Sequence, residues 1–266
     1  MLSVIVITKN EEDRIKVCLE SVKWADEIIV LDNGSTDKTV QISKQFTNKV
    51  FTFANLDFSS LRNKGMEEAQ GDWVLYIDSD ERVLLPLKEE IESLVKSDLS
   101  AFAICRKNII FGKEVKYGPF WPDWVIRLLK KEDFATWVGK VHEYPKFKGN
   151  LGYGKNYLLH LTHRNLDQII LKSLEWSKID AKLRLEARHP KMNGWRFLRI
   201  FITESINQGI IRKGFFNGTV GVMDSILQTF SMFMTYIRLW QLQQNKPLDE
   251  TYDDIDKKLM ENDFKF

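Results

Sequence analysis

Two carboxylates separated by one residue, Asp78-Ser79-Asp80, follow the apolar run 73–77. At the end of a strand such a pair can address one site, one oxygen set turned to a sugar hydroxyl and the other to a divalent cation. Hard oxygen ligands suit Mg²⁺ or Mn²⁺, and Mg²⁺ is commonly held by one or two carboxylates plus substrate phosphates. The spacing alone is weak evidence, because Asp-x-Asp arises by chance roughly once in a few hundred positions at ordinary composition. The chain carries its own control in Asp254-Ile255-Asp256, which reads as a solvated charge run in an acidic tail. Asp32 opens a second candidate group, Asp32-Asn33-Gly34-Ser35-Thr36-Asp37. Its structural role would be a turn in which Ser35 or Thr36 caps the next helix. A carboxylate at that strand end can also accept from a nucleobase or ribose, and the two roles are compatible.

These residues need a scaffold, and the first hundred residues supply an alternating one. Apolar, β-branched runs at 4–7, 27–31, 49–53 and 73–77 predict strands. Between them, 10–22, the stretch after 37, and 59–69 predict helices. That order implies an α/β fold with a mostly parallel sheet and helices on both faces. Ligands of such sheets bind outside the carboxyl ends of the strands, where Asp32, Asp78 and Asp80 fall. From 102 to 161 shorter strand-like pieces and aromatic turns are expected, including Phe120, Trp121 and Trp124 as either core or a platform for a sugar ring. Residues 166–244 read as helical with breaks near Pro190, Gly194 and Gly214, and 248–266 as a mobile tail or short surface helix. The domains expected are therefore 1–165, a helical region 166–245, and a tail 246–266.

Composition narrows the class. The chain has 266 residues, 44% hydrophobic and 29% charged, which is globular rather than disordered. A formal net charge of +2 gives no global field for nucleic acid. Cys18 and Cys105 lack a Cys-x-x-Cys or His cluster, so reduced, buried thiols are expected rather than zinc or disulfides. The N-terminal strand runs quickly into Lys9, Glu11 and Glu12, unlike a signal peptide, and a cytoplasmic protein is expected. The nearest approach to a membrane span, 214–237, contains Asp224, which would cost roughly 2.5–3.5 kcal/mol at mid-bilayer. The basic, aromatic-rich region from Lys182 to Trp240 fits peripheral attachment to the inner face of the cytoplasmic membrane, or a helical cap or oligomer interface.

Four motifs in order, 3–12, 32–37, Arg62-Asn63-Lys64-Gly65 and 71–80, resemble the successive motifs of family 2 glycosyltransferases. The resemblance implies a GT-A fold and a nucleoside-diphosphate-sugar donor, with residues 1–100 as the donor half and 101–165 as the acceptor half. It implies Thr8, Glu11 and Asp32 at the nucleoside, Arg62 near the diphosphate, Asp78 at the ribose and Asp80 at the metal. Glu81 stands where many relatives have a further Asp. The later half is similar to bacterial transferases that glycosylate the lipopolysaccharide inner core or related lipid-linked glycans, on Pro122-Asp123, Arg127-Leu128, Val141-His142-Glu143, His160 and Arg238-Leu239-Trp240. A cation and a basic group must stabilise the departing diphosphate, and Asp80, His160 and Arg62 fit those tasks. Glu143 is the expected general base, with Asp123 as the alternative. Without the resemblance His160 and His163 would read as structural histidines. Direct displacement would invert the anomeric centre, and UDP-glucose is the first donor expected. A sugar nucleotidyltransferase would show a glycine-rich loop after the first strand, which 8–12 lacks. A catalytically silent binding protein of the same fold would not need Asp32, Arg62, Asp78, Asp80 and Glu143 together.

Overall fold

The computed structural model describes every residue except 55, 119–120, 140–142, 262–263 and 265–266. The chain forms two compact units, Met1–Arg164 and Asn165–Phe266. His142 and Phe120 lie outside the described residues.

The first unit begins as the hydrophobic pattern predicts. Strands β1 (Leu2–Thr8), β2 (Glu27–Asp32), β3 (Val50–Thr52) and β4 (Trp73–Asp78) are parallel, in the spatial order β3-β2-β1-β4. β1 is buried along its whole length, as a run covered on both faces must be. Helices α1 (Ile15–Val22) and α4 (Leu85–Leu94) bury Ile15, Cys18, Leu19, Leu87 and Ile91 on one face. Helix α3 (Phe58–Glu68) buries Leu61 and Met66 on the other. Helix α2 (Thr39–Ser43) is a single short turn after β2. Both cysteines are free and buried.

Past β4 the sheet changes character. Short β5 (Glu81–Val83) and β7 (Lys113–Glu114) accompany three long strands, β6 (Ala101–Ile110), β8 (Asp123–Lys130) and β11 (Leu151–Leu161). The order continues β4-β8-β6-β11-β5, with β8 antiparallel to both β4 and β6 and β11 parallel to β6. The expectation of short pieces over 102–161 is thus corrected. The half-buried Arg106 and the buried Arg127 interrupt apolar runs that are continuous in space. A separate hairpin, β9 (Phe134–Val138) with β10 (Tyr144–Phe147), brings Trp137 over α3 and the sheet.

Gly65 sets how closely α3 lies on the strands. A Cβ there would stand 2.8 Å from Leu31 Cδ1 and 2.9 Å from Ile5 Cγ2, both in the core. Gly65→Ala is expected to cost about 1–3 kcal/mol by overpacking and to displace Arg62, one turn earlier. Chemical denaturation checks this, and an unchanged midpoint would mean the contact has room to relax.

The second unit is helical: α5 (Leu166–Glu186), α6 (Gly194–Ile206), α7 (Gly218–Leu242) and α8 (Leu248–Glu261). Ala181, Met192, Ile200 and Leu239 form its small core. Asn165 and Asn193 cap α5 and α6 by accepting from Gln168 N and Arg196 N, each at 2.9 Å. The expected tail is mostly the amphipathic helix α8.

Candidate active site

β1, β2 and β4 end on Thr8, Asp32 and Asp78. Register places Thr8 opposite Asp32 and Ile7 opposite Asp78, so the three residues stand across adjacent strand ends. Strand order reverses between β1 and β4, the place where open α/β sheets leave a crevice. Thr8 Oγ1 is buried and has no hydrogen-bond partner among the described residues. The fully buried Asp32 accepts from Gly34 N at 3.2 Å and Ser35 N at 3.1 Å, so it holds its own turn.

Two local expectations are corrected here. Ser35 and Thr36 do not cap α2; they lace the second loop to the first. Asn10 N donates to Ser35 Oγ at 2.8 Å, and Thr36 N donates to Asn10 Oδ1 at 2.8 Å. Glu11 N donates to Thr39 Oγ1 at 2.7 Å and Glu12 N to Asp37 Oδ2 at 3.1 Å. These amides are therefore spent between loops, and Asn10 takes a left-handed φ of 53°. That is why α1 starts at Ile15 and not at residue 10. The lacing fixes Glu11, whose carboxylate pairs with Arg14 at 3.0 Å. Burial pushes the Glu11 carboxyl up to about 7, opposed by Arg14 and reinforced by Asp80.

Arg62 joins the two halves of the first unit. Its Nη2 donates to Asp78 Oδ1 at 3.2 Å and to Glu143 Oε1 at 3.1 Å, across 81 residues of sequence. Its guanidinium carbon lies 5.1 Å from the Trp137 ring centre and 5.7 Å from that of Tyr76. Tyr76 in turn donates to the Arg62 carbonyl at 2.9 Å. Arg62 Nε and Nη1 are buried without a partner among the described residues. A rigid cation with spare donors in an aromatic slot is suited to an anion, phosphate included.

A buried ionic network continues from Asp78. Arg127 Nη2 pairs with Asp78 Oδ2 and donates to Glu81 Oε1 at 2.7 Å. Glu81 Oε2 accepts from Asp78 N at 2.9 Å. Burial alone would raise the Asp78 carboxyl, but the charges of Arg127 and Arg62 outweigh it and hold it well below the usual carboxylate range. Arg106 donates to both oxygens of Asp123, at 2.9 and 3.1 Å, and Asn108 Nδ2 adds a bond of 2.8 Å. Arg106 was not legible as a site residue, and Arg127 only as part of a motif. The available signal was an arginine inside or at the end of an otherwise apolar strand.

Asp80 and His160 stand side by side. β5 pairs with β11 so that Glu81 lies opposite His160, and Leu161 N donates to the Asp80 carbonyl at 2.9 Å. Asp80 Oδ2 is 3.3 Å from His160 Nε2. Because the Asn108 amide nitrogen is committed to Asp123, its Oδ1 must accept from His160 Nδ1, at 2.5 Å. In the neutral imidazole that bond turns the Nε2 lone pair to the Asp80 side, where a metal would need it. An oxygen and a nitrogen 3.3 Å apart fit adjacent positions around one Mg²⁺ or Mn²⁺, given ligand distances near 2.1 Å. No cluster of three His, Cys, Asp or Glu exists among the described residues, so such an ion would complete its shell from substrate and water.

Residues 3–151 match the profile of glycosyl transferase family 2, and the chain belongs to that family. It is thus a glycosyltransferase of GT-A type that acts on nucleoside-diphosphate sugars. An uncharacterized glycosyltransferase of Rickettsia typhi is 32% identical, the match covering 91% of this chain and 87% of that one. The lipopolysaccharide core biosynthesis glycosyltransferase LpsC of Rhizobium meliloti is 25% identical over 90% of this chain and 92% of its own. Among solved structures, S. aureus TarS 1–349 with UDP-GlcNAc is 15% identical with a TM-score of 0.45, covering 87% of this chain and 80% of that chain.

Proposed function

We propose that the protein moves a sugar, glucose from UDP-glucose as the first candidate, to a hydroxyl of a glycan or lipid-linked glycan by single displacement with inversion. The observation that carries this reading is Arg62, which bonds Asp78 on one side and Glu143 on the other while two of its donors stay unpaired. Thr8, Glu11 and Asp32 would receive the nucleoside, and Asp78 the ribose. Arg62 would place its free donors on the diphosphate, where negative charge grows as the sugar leaves. Asp80 and His160 would hold a Mg²⁺ or Mn²⁺, which when bound supplies positive charge to the leaving diphosphate. Glu143 would take the acceptor proton. Asp123 suits that task less well, since both its oxygens already accept from Arg106 and Asn108.

An acceptor of the lipopolysaccharide core type is supported by the likeness to the core biosynthesis glycosyltransferase of Rhizobium meliloti. A lipid-linked acceptor would place the protein at the inner face of the cytoplasmic membrane. No helix of the described residues is long and apolar enough to cross a membrane. The test is a panel of nucleotide sugars screened by calorimetry and by hydrolysis, with and without Mn²⁺. One uridine-linked donor should bind and hydrolyse in a metal-dependent way that Asp80→Ala removes. Hydrolysis unaffected by chelator and by Asp80→Ala would sink the metal assignment, and binding of no nucleotide sugar would sink the whole reading.

A further inference from the structure

The second unit carries a helical hairpin folded with its apolar side chains outward. Over its first five turns helix α7 buries Gly221, Asp224, Ser225, Thr229 and Thr235, and only near its C-terminus a large apolar side chain, Leu239. Its opposite face exposes Val222, Met223, Ile226, Phe230 and Ile237. A helix on a water-soluble core shows the reverse arrangement. Helices that pack beneath a lipid-facing surface approach through small and hydroxyl residues, as here. A Cβ on Gly221 would stand 2.2 Å from the Gly214 carbonyl oxygen, and one on Gly214 would stand 1.8 Å from Ser225 Oγ. Thr229 donates to the Ser225 carbonyl at 2.8 Å, Ser225 to the Gln208 carbonyl at 3.3 Å, and Asp224 accepts from Gln228 at 3.2 Å, so these inner-face polar groups are bonded within the unit.

The segment joining α6 to α7 continues this exterior. It is a π-helical turn, Asn207–Ile211, followed by a 3₁₀ turn, Gly214–Phe216. Ile211 is 69% exposed and Phe216 73%, with Ile210 and Phe215 also exposed. Arg212 and Lys213 lie between these two apolar pairs, and residues 205–223 contain no Asp or Glu. Apolar wedges beside basic residues are what an anionic bilayer surface accepts, hydrocarbon below and headgroup phosphate above.

We propose that this hairpin tip inserts into one leaflet of an anionic membrane, with Ile210, Ile211, Phe215 and Phe216 in the acyl region and Arg212 and Lys213 among the phosphates. The inference deepens, and rests on, the membrane side of the function proposed above. A second copy of the chain fits the surface less well. In a twofold contact the same patch meets itself, so Arg212 and Lys213 would face their own like charges without an acidic residue in the segment.

The test is flotation of the full chain with vesicles of phosphatidylcholine alone and of phosphatidylcholine with phosphatidylglycerol. The wild type should float with the anionic vesicles and weakly with the neutral ones. Ile211→Asn with Phe216→Ser should lower the anionic-vesicle partition roughly a hundredfold. Arg212→Glu with Lys213→Glu should remove the preference for anionic lipid. Thermal melting and nucleotide-sugar binding should be unchanged in both variants. Absence of wild-type flotation, or variants that float as wild type, would overturn the proposal. So would a dimer, seen by light scattering, that the apolar variant breaks while flotation is unaltered. Donor binding is read separately, so a wild type that floats but binds no nucleotide sugar leaves the insertion standing and sinks the transferase assignment.

Discussion

Glu143→Gln is expected to lower kcat for sugar transfer about a hundred- to ten-thousandfold, the usual range for loss of a general base, with donor affinity nearly unchanged. Glutamine keeps the volume and an oxygen that can accept from Arg62 Nη2, now 3.1 Å from Glu143 Oε1. It cannot take a proton from an attacking hydroxyl. Arg62 should therefore stay in place between Asp78 and residue 143, and the loss should fall on kcat and kcat/KM together. Asp123→Asn is the control. Asp123 binds Arg106 through both oxygens and Asn108 through one, so its change should show first in stability. Steady-state kinetics with a soluble acceptor decides between them: wild-type turnover in Glu143→Gln would refute the assignment.

Much of this site was legible because its parts are local. Asp32 and Asp78 end apolar runs whose length and β-branching already predict strands, and the sheet then sets them side by side. The nearness of Asp80 to His160 is non-local, and only the resemblance assigned both to one metal; the bond of Arg62 to Glu143, 81 residues apart, was not legible at all. What stayed hidden followed from tertiary competition. The amides of residues 10–12 read as a helix start, but side chains of the second loop claim them. Ser35 and Thr36 have cap chemistry and use it across loops instead. Arg106 drew no notice and Arg127 only as part of a motif, because their partners Asp123 and Asp78 come from other strands. The inverted face of α7 escaped notice for another reason: its sequence is apolar on one side and small or polar on the other, and periodicity does not say which side is inside.

Arg127→Ala should be the most destabilising single change in the first unit, costing about 3–5 kcal/mol. The side chain is almost wholly buried and bridges Asp78 to the fully buried Glu81. Removing it leaves two carboxylates close together with Arg62 and Arg106 as their remaining cations, the latter 3.5 Å from Glu81. A loss of this size is a large share of the roughly 5–15 kcal/mol that holds a domain folded. The pH dependence has a definite sign. In the wild type Asp78 is held below its unfolded value, so its contribution is present above that value and fades as pH falls through the folded one. Without Arg127, burial is opposed by fewer cations, and protonation relieves the strain of the paired carboxylates. The deficit of the variant should hence be largest near neutral pH and shrink on acidification toward about pH 4, close to the ordinary Asp value. Adding Glu81→Gln should recover part of the loss, since glutamine still accepts from Asp78 N and removes one buried charge. Denaturant melts of the four proteins of this cycle at two pH values provide the measurement. A deficit under about 1 kcal/mol, the scale of a surface ion pair, or a deficit independent of pH, would show that the network does not hold the sheet together at this point.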